Sequence, residues 1–375
     1  EWGGVYQYSD HVSWLSPHYE KIMLSQGAAL RTYSLAHALW GDRSAHFLEA
    51  ARGVHRYLTT HLRGENGAFY TSQDADLNTR MDGKTFYGLS AKDREAMGAV
   101  PRIDKNQYAR ENGWAIAGLV ALFEATGERP ILDDAVRAAH WVLENRLRAD
   151  GGFNHGARDR AGPYLGDSVS MAGAFAALYG ATGDRGWLGH AIRTLDSVES
   201  TFASEEAGYR SHLVAKDAIG VFANEIVLVE ENVDLARAAL RVHWYSGEER
   251  FRRQVEHAMK YLASDTITDN RLFLHGVLLT DNELSREPVH ITVVGPKADP
   301  RAQALHEAAR GYPAVFKRLE WWDRDEGPLP NPDVKYPELP RPAAFACTER
   351  TCSLPVFEPK DVHEAVSRLL RPAEG

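Results

Sequence analysis

Three stretches of the sequence share one pattern: an acidic residue opens an apolar segment, and a glycine ends it sixteen residues later. They span residues 111–127, 167–183 and 231–247. Each is followed within a few residues by a segment with apolar residues at helical spacing; these lie at 132–147, 187–202 and 251–262. Because glycine readily takes the left-handed conformation that ends a helix, the pattern predicts three helical hairpins.

The two helices of each hairpin differ in polarity. The first is apolar nearly all round, as in residues 115–123, whereas the second has one apolar stripe and one charged face, as in 135–142. A fully buried helix beside one with a solvated face is typical of two concentric rings. Helices at 18–40 and 44–62 form a fourth pair without the sixteen-residue register. The predicted fold class is all-α dominated: an (α/α)6-type toroid, incomplete here, with about four to five hairpins in a domain of residues 1–287.

Glycine and an aromatic residue connect successive hairpins, at 3–6, 67–70, 151–153 and 208–209. The chain begins inside the first of these loops, which indicates a processed or cut chain. We expect the missing hairpins to precede Glu1, or to be partly replaced by the less regular segment 271–284.

Two regions depart from the hairpin pattern. Residues 64–108 form a long insertion, with strand-like segments at 68–71 and 84–88 and a short Ser-capped helix at 90–97. Residues 288–375 predict a small α/β appendage, because buried strands and amphipathic helices alternate there. Its predicted elements are strands at 289–295, 315–321 and 343–347 and helices at 299–311 and 359–370.

Composition excludes several classes of function. The net charge of −9 provides no basic stripe, so a nucleic-acid partner is not expected. No apolar run approaches the roughly 18 residues that a membrane span needs. The only cysteines, Cys347 and Cys352, could form a small disulfide or stay as two reduced thiols. Two sulfurs alone do not fill a structural zinc site, so no metal and no cofactor is predicted.

The segment 14–21 places titratable residues at the opening of the first helical pattern. Pro17 suits the first position of a helix, because its missing N–H would have no intrahelical partner there. His18, Glu20 and Lys21 would then lie in the first turn. The plainer interpretation is a capped helix start with a surface salt bridge.

Motifs in order along the chain carry a family resemblance. They are Gly-Gly-Val-Tyr-Gln-Tyr-Ser (3–9), Trp-Leu-Ser-Pro-His-Tyr-Glu-Lys (14–21), Gly-Ala-Phe-Tyr-Thr-Ser-Gln-Asp-Ala-Asp (67–76), Gly-Lys-Thr-Phe-Tyr (83–87), Ala-Arg-Glu-Asn-Gly (109–113) and Ala-Phe-Ala-Cys…Cys-Ser-Leu-Pro-Val (344–356). The chain resembles the helical part of the YyaL / spermatogenesis-associated protein 20 group, thioredoxin-domain-containing proteins with a DUF255-type N-terminal domain.

This resemblance implies an (α/α)6 toroid similar to N-acylglucosamine 2-epimerase and the six-hairpin glycosidases. It also implies a soluble, cytoplasmic protein, whereas a Cys347–Cys352 disulfide in a processed chain would indicate the periplasm or the extracellular space. The localisation therefore stays open.

In such a toroid the inner helices of one sense start at the same end, so the loops before them line one funnel. Carboxylates that bind hydroxyls, with aromatic faces that stack on a sugar ring, suit a carbohydrate. The predicted catalytic residues are His18, Glu20, Asp76, Glu111 and Asp167. The predicted substrate-binding residues are Tyr8, Tyr70, Asp74, Asn112, Trp114, His155, Tyr164 and Glu231, with Glu230 at the same mouth and His212 as another candidate for a second histidine.

Each of these residues has a structural alternative. Glu111, Asp167 and Glu231 would also satisfy helix N-termini. Asp74 and Asp76 would also turn their loop or bind a cation. Trp114 would equally belong to the core.

Two functions fit this pattern. The first is a carbohydrate-active or carbohydrate-binding protein: paired carboxylates would hydrolyse a glycoside, whereas a histidine with a second base would epimerise or isomerise a sugar. The second is a non-catalytic subunit whose toroid is completed by another chain that carries the missing thioredoxin-like and N-terminal part; a homo-oligomer is the other possibility. Apolar flanks of helices that are left exposed are normally covered by a partner.

Overall fold

A computed structural model describes residues 2–157, 162–214, 217–348 and 350–371. The chain divides into two units, Glu1–Arg148 with Phe153–Arg160, and Ala149–Gly152 with Ala161–Gly375. Four helical hairpins lie in the described residues, two in each unit. No helix of the described part is long and apolar enough to cross a membrane.

The first unit combines two helical hairpins with short strands. Its elements are β1 (Tyr8–Ser9), β2 (Pro17–His18), β3 (Lys21–Ile22), α1 (Met23–Trp40), α2 (Ala45–Tyr57, continued by a π-helical turn Leu58–Leu62), β4 (Ser72–Gln73), α3 (Gly83–Gly88), α4 (Ala91–Ala96), β5 (Ile103–Asp104), α5 (Ala109–Thr126) and α6 (Arg129–Arg146). Helix α1 packs against α2 and α5, and α5 packs against α6.

The second unit continues the hairpins and ends in a sheet. Its elements are α7 (Leu165–Thr182), α8 (Arg185–Phe202), α9 (Val229–Ser246), α10 (Glu249–Leu262), α11 (Asp265–Thr268), α12 (His275–Leu284), β6 (Val289–Val294), α13 (Pro300–Arg310), β7 (Lys317–Trp322), β8 (Ala343–Cys347) and α14 (Val362–Leu370). Helices α7–α8 and α9–α10 pair, α7 packs on α9, and α12 lies against α9.

The glycines that the sixteen-residue pattern predicts as helix ends are confirmed. Gly127, Gly183 and Gly247 follow α5, α7 and α9 with φ of 72°, 69° and 70°. The amide of each donates to the carbonyl four residues back. A side chain at such a φ would be strained, which is why the chain ends these helices at glycine.

The predicted start of the first helix is wrong. Residues 17–22 are extended, and α1 begins at Met23. Pro17 pairs with Ser9 in the β1–β2 ladder, and Lys21 pairs with Gln73 in the β3–β4 ladder. Pairing with distant segments therefore overrides the local helix-start signal, and His18 and Glu20 do not lie in a helical turn.

The insertion also differs from its prediction. Residues 84–88, expected as strand-like, lie in helix α3 (Gly83–Gly88). The Asp82 side chain accepts a hydrogen bond from the Thr85 amide at 2.8 Å, and such a cap favours helix over the strand preference of Phe86 and Tyr87. The strand expected at 68–71 lies at Ser72–Gln73 instead, whereas the Ser90-capped helix is confirmed as α4.

The C-terminal appendage is a three-stranded sheet in the order β7-β6-β8, with β6 parallel to β7 and antiparallel to β8. Helices α13 and α14 cover one face, where Ile291, Leu305, Leu319 and Val362 form a buried cluster. Cys347, at the end of β8, forms a disulfide with Cys352, so the alternative of two reduced thiols does not hold in this structure. The independent domain boundary at 287/288 stays a prediction.

Candidate functional site

The β1–β2 hairpin brings three predicted site residues together. Tyr8 lies opposite His18 in the ladder, and their rings stack with centroids 4.6 Å apart and planes 4° apart. His18 Nε2 lies 3.6 Å from Glu20 Oε2, and the two side chains are 36% and 33% exposed. A solvent-accessible imidazole beside a carboxylate and an aromatic face can accept a proton from a bound molecule.

Backbone contacts fix the position of this hairpin. The Gln26 amide clamps Val5, accepting from its N–H at 2.8 Å and donating to its carbonyl at 2.7 Å. Gly3, at φ +77°, passes so close to α2 that a Cβ would lie 2.0 Å from the Gly53 carbonyl oxygen. Only glycine fits there, and the segment that leads into Tyr8 is held against α1 and α2.

Lys21 is a residue whose environment the sequence did not reveal. Its side chain is almost fully buried, and its Nζ lies 5.1, 4.4 and 5.1 Å from the ring centroids of Tyr6, Tyr57 and Tyr87. The ammonium donates to the Gly3 carbonyl at 2.8 Å, and no carboxylate of the described residues lies within ion-pair distance. Burial, and secondarily the charge of Arg94, lowers the pKa of Lys21 to about 8.

The tyrosines around Lys21 form a connected cluster. The hydroxyls of Tyr57 and Tyr87 both donate to Gln73 Oε1, at 3.1 and 3.3 Å. Burial, followed by the neighbouring Tyr19, raises the pKa of Tyr6 to about 12. Tyr6, Lys21, Tyr57, Gln73 and Tyr87 come from five separate segments, so spacing along the chain carries no signal for this cluster.

The acidic loop at 74–76 is occupied by structural contacts. Asp74 pairs with Arg102 at 2.8 Å, and Asp76 Oδ1 accepts from the Gly83 amide at 2.7 Å. Lys105 Nζ lies 6.0 Å from the ring of Tyr70. These contacts favour the turn-forming alternative, and no group of residues suited to a metal ion occurs in the described ranges. The catalytic role of Asp76 stays a prediction.

The start of α5 gathers a second group of predicted residues. Glu111 is buried and accepts from Arg110 at 3.3 Å, and the Arg110 guanidinium lies 5.0 Å from the centroid of Trp114. The ring of His155 stacks on Tyr108 at 3.9 Å. In the described residues, no hydrogen bond or ion pair of His18, Glu20 or Asp76 reaches Glu111.

Asn112 serves as a clamp on the preceding glycine–aromatic loop. Its Oδ1 accepts from the Phe69 amide at 2.8 Å, and its Nδ2 donates to the Phe69 and Tyr108 carbonyls at 3.1 and 2.8 Å. Asn232 makes the same contacts to Tyr209 and Leu228 in the second unit. Because the amide is fully buried, these contacts do not favour the substrate role predicted for Asn112.

The remaining predicted residues belong to the second unit. Asp167 is buried in the first turn of α7, and Glu231 lies in the first turn of α9. Tyr164 bridges His212 through the backbone, and the neighbouring Glu230 pairs with Arg271 at 2.6 Å. A common funnel for these residues with His18 and Glu111 stays a prediction.

The sequence is similar to that of a known protein over a short stretch. Over 73 residues it is 34% identical to spermatogenesis-associated protein 20 of Rattus norvegicus and of Homo sapiens. The match covers 20% of this chain and 9% of either relative, so it spans less than a tenth of the length of those proteins. This similarity agrees with the resemblance that the motifs carry. No family model matches the chain.

The solved structures show the fold. A sugar epimerase from a ruminal bacterium has a TM-score of 0.53 at 16% identity, over 73% of this chain and 67% of its own. A D-mannose isomerase has a TM-score of 0.53 at 13% identity, over 69% and 64%. The cellobiose 2-epimerase of Spirochaeta thermophila DSM 6192 has 0.51 at 16%, over 69% and 62%. The fold is an α/α toroid like that of these epimerases and this isomerase, with a small α/β appendage, as predicted.

Proposed function

We propose that the chain binds a reducing sugar at the His18–Glu20–Tyr8 cluster and isomerises it by proton transfer. The observation that carries this proposal is the partly exposed His18–Glu20 pair, with the imidazole stacked on the ring of Tyr8. The fold shared with a sugar epimerase and a D-mannose isomerase supports a sugar as the substrate.

His18 would act as the base. Its Nε2 takes the proton from the carbon next to the sugar carbonyl, and the electrons of that C–H bond form the double bond of an enediolate. The hydroxyl proton of that carbon passes to the former carbonyl oxygen. The imidazolium, whose proton exchanges with solvent, then delivers a proton to the former carbonyl carbon. Glu20 stabilises the imidazolium that forms in between. One base suffices for this aldose–ketose exchange.

Two other reactions are less well supported by the contacts. Epimerisation returns the proton from the opposite face and generally needs a second base, and the candidate His155 is stacked on Tyr108. Glycoside hydrolysis needs two carboxylates across one bond, whereas Asp74 and Asp76 have structural partners.

The test is a proton NMR assay with D-mannose and cellobiose in D2O. We expect ketose formation with deuterium entering at the exchanged carbon. His18→Ala should lower turnover by about 10²- to 10⁴-fold, the usual contribution of a general base. His46→Ala, which removes an exposed histidine of α2, is the control and should keep the wild-type rate. Equal rates for His18→Ala and wild type would exclude His18 as the base.

A second candidate function is that of a subunit in a larger assembly. Helix α1 leaves Leu24, Leu39 and Trp40 about half exposed, and α12 leaves Leu278 exposed at 65%. Apolar flanks of this kind favour a covering protein. Native mass spectrometry tests this idea: a complex would support it, and a stable lone monomer would contradict it.

A further inference from the structure

A cleft of about 440 Å³ lies in the first unit, between the end of α2 with its π-helical turn and the C-terminal end of α4. Trp2 and Val100 contribute apolar surface to it, and Arg56, His61, Arg94 and Glu95 contribute polar groups. None of the predicted sugar-site residues lines this cleft.

The charge around the cleft is mainly positive, although the whole chain carries −9. Arg94 is nearly buried, with its guanidinium 4.6 Å from the Trp2 ring centroid and 5.6 Å from that of Tyr87. Arg56 is exposed and has no ion-pair partner among the described residues. Glu95 is the single acidic residue of the lining in the part of the chain that the structure describes.

Lys21 adds a cation behind the wall of the cleft. Its ammonium contacts Tyr57, whose ring lies 5.4 Å from that of His61, and it has no carboxylate within ion-pair distance in the described ranges. The pKa of His61 is lowered, first by burial and then by the charge of Lys21, so the field of this ammonium reaches a residue that lines the cleft. A buried charge without a counterion is costly, and a bound anion would offset that cost.

We propose that this cleft binds a small organic anion, a phosphorylated or carboxylated molecule whose apolar part contacts Trp2 and Val100. Arg56 and Arg94 would bind the anionic group directly, since guanidinium groups pair with phosphate and carboxylate oxygens. Lys21 contributes through its charge. The proposal does not depend on the sugar isomerisation proposed above.

Isothermal titration calorimetry with inorganic phosphate, glucose 6-phosphate, glucuronate and neutral glucose tests the proposal. We expect at least one anion to bind, and a preference for glucose 6-phosphate or for glucuronate identifies phosphate or carboxylate as the recognised group. Arg56→Gln is expected to weaken binding by tenfold or more, and the variant should fold because Arg56 is exposed. Lys92→Gln removes the same charge from an exposed position of α4 outside the lining and should bind as wild type does.

A second variant blocks the cleft without changing the charge of the protein. Ala99→Trp fills the cleft at an exposed lining position without a change of charge, and it should abolish anion binding. Failure of every anion to bind would overturn the proposal, as would equal losses in Arg56→Gln and Lys92→Gln. Because Arg56 is not part of the His18 cluster, turnover of a neutral sugar by Arg56→Gln reports on the isomerase proposal separately.

Discussion

At the scale of the residue, Lys21 is the clearest case of a side chain whose properties follow from its surroundings. Three tyrosine rings and one carbonyl replace the water that an ammonium normally keeps. Cation–π contacts recover part of the lost hydration. The remaining cost appears as the lowered pKa, about 8 in the folded protein against 10.5 for an ordinary lysine.

This pKa predicts how stability depends on pH. Between about pH 8 and pH 10 the unfolded chain holds a proton on Lys21 that the folded chain has released, so the free energy of unfolding rises with pH there. Lys21→Met has no ionisable side chain at this position, so its stability lacks this pH dependence. The stability of wild type relative to Lys21→Met should therefore increase from pH 7 to pH 10, by on the order of 2–3 kcal/mol, since one pKa unit corresponds to about 1.4 kcal/mol.

Urea unfolding of both proteins at several pH values measures this difference. Lys92→Met, at an exposed position of α4, is the control and should show no comparable trend. A difference between wild type and Lys21→Met that stays constant over this range would contradict a lowered pKa for Lys21.

At the scale of the element, two glycines, one inside α7 and one just after it, are expected to respond in opposite ways to substitution by alanine. Gly183 ends the helix at φ +69°, and a Cβ there would lie 2.9 Å from the Trp321 Cβ. Gly173 lies inside the same helix, and a Cβ added to it would meet no other atom within 4 Å. Gly173 therefore adds only backbone freedom to the unfolded chain.

Gly183→Ala should therefore destabilise the protein by about 1 kcal/mol or more, whereas Gly173→Ala should stabilise it by about 0.5–1 kcal/mol. Thermal and urea unfolding of the two variants give the comparison. Destabilisation by both would show that alanine is not accommodated at position 173.

At the scale of the whole molecule, a buried polar network anchors the C-terminal sheet. Arg318 pairs with Glu320 at 2.9 Å and with Asp333 at 2.5 Å, and His290 Nε2 lies 3.2 Å from Glu320. The Leu319 amide donates to the Tyr245 hydroxyl of α9 at 3.4 Å. The sheet is thus joined to the hairpins of its own unit by polar as well as apolar contacts.

Arg318→Met should destabilise the second unit by about 3–5 kcal/mol, because it leaves the fully buried Glu320 without its guanidinium partner. The double variant Arg318→Met/Glu320→Gln removes the charge as well and should recover part of that loss. Urea unfolding followed by tryptophan fluorescence would measure the cycle. A double variant less stable than Arg318→Met alone would contradict this account.

The sequence by itself determined the features that local chemistry specifies. The hairpins, their glycine ends and the strand at 343–347 follow from hydrophobic period, helix-ending glycines and short buried runs, and the structure confirms them. The toroid fold followed from the same repetition. Each of these signals lies within one element, so no knowledge of distant partners is needed.

Only the tertiary structure decided where the first helix starts and what surrounds the candidate site. Pro17 is extended because Ser9 pairs with it. Lys21 is surrounded by aromatic rings because Tyr57 and Tyr87 contact it from distant parts of the sequence. The stack of Tyr8 on His18 likewise depends on the register of a hairpin. Such contacts join residues far apart in sequence, and local propensity carries no information about which distant groups will meet.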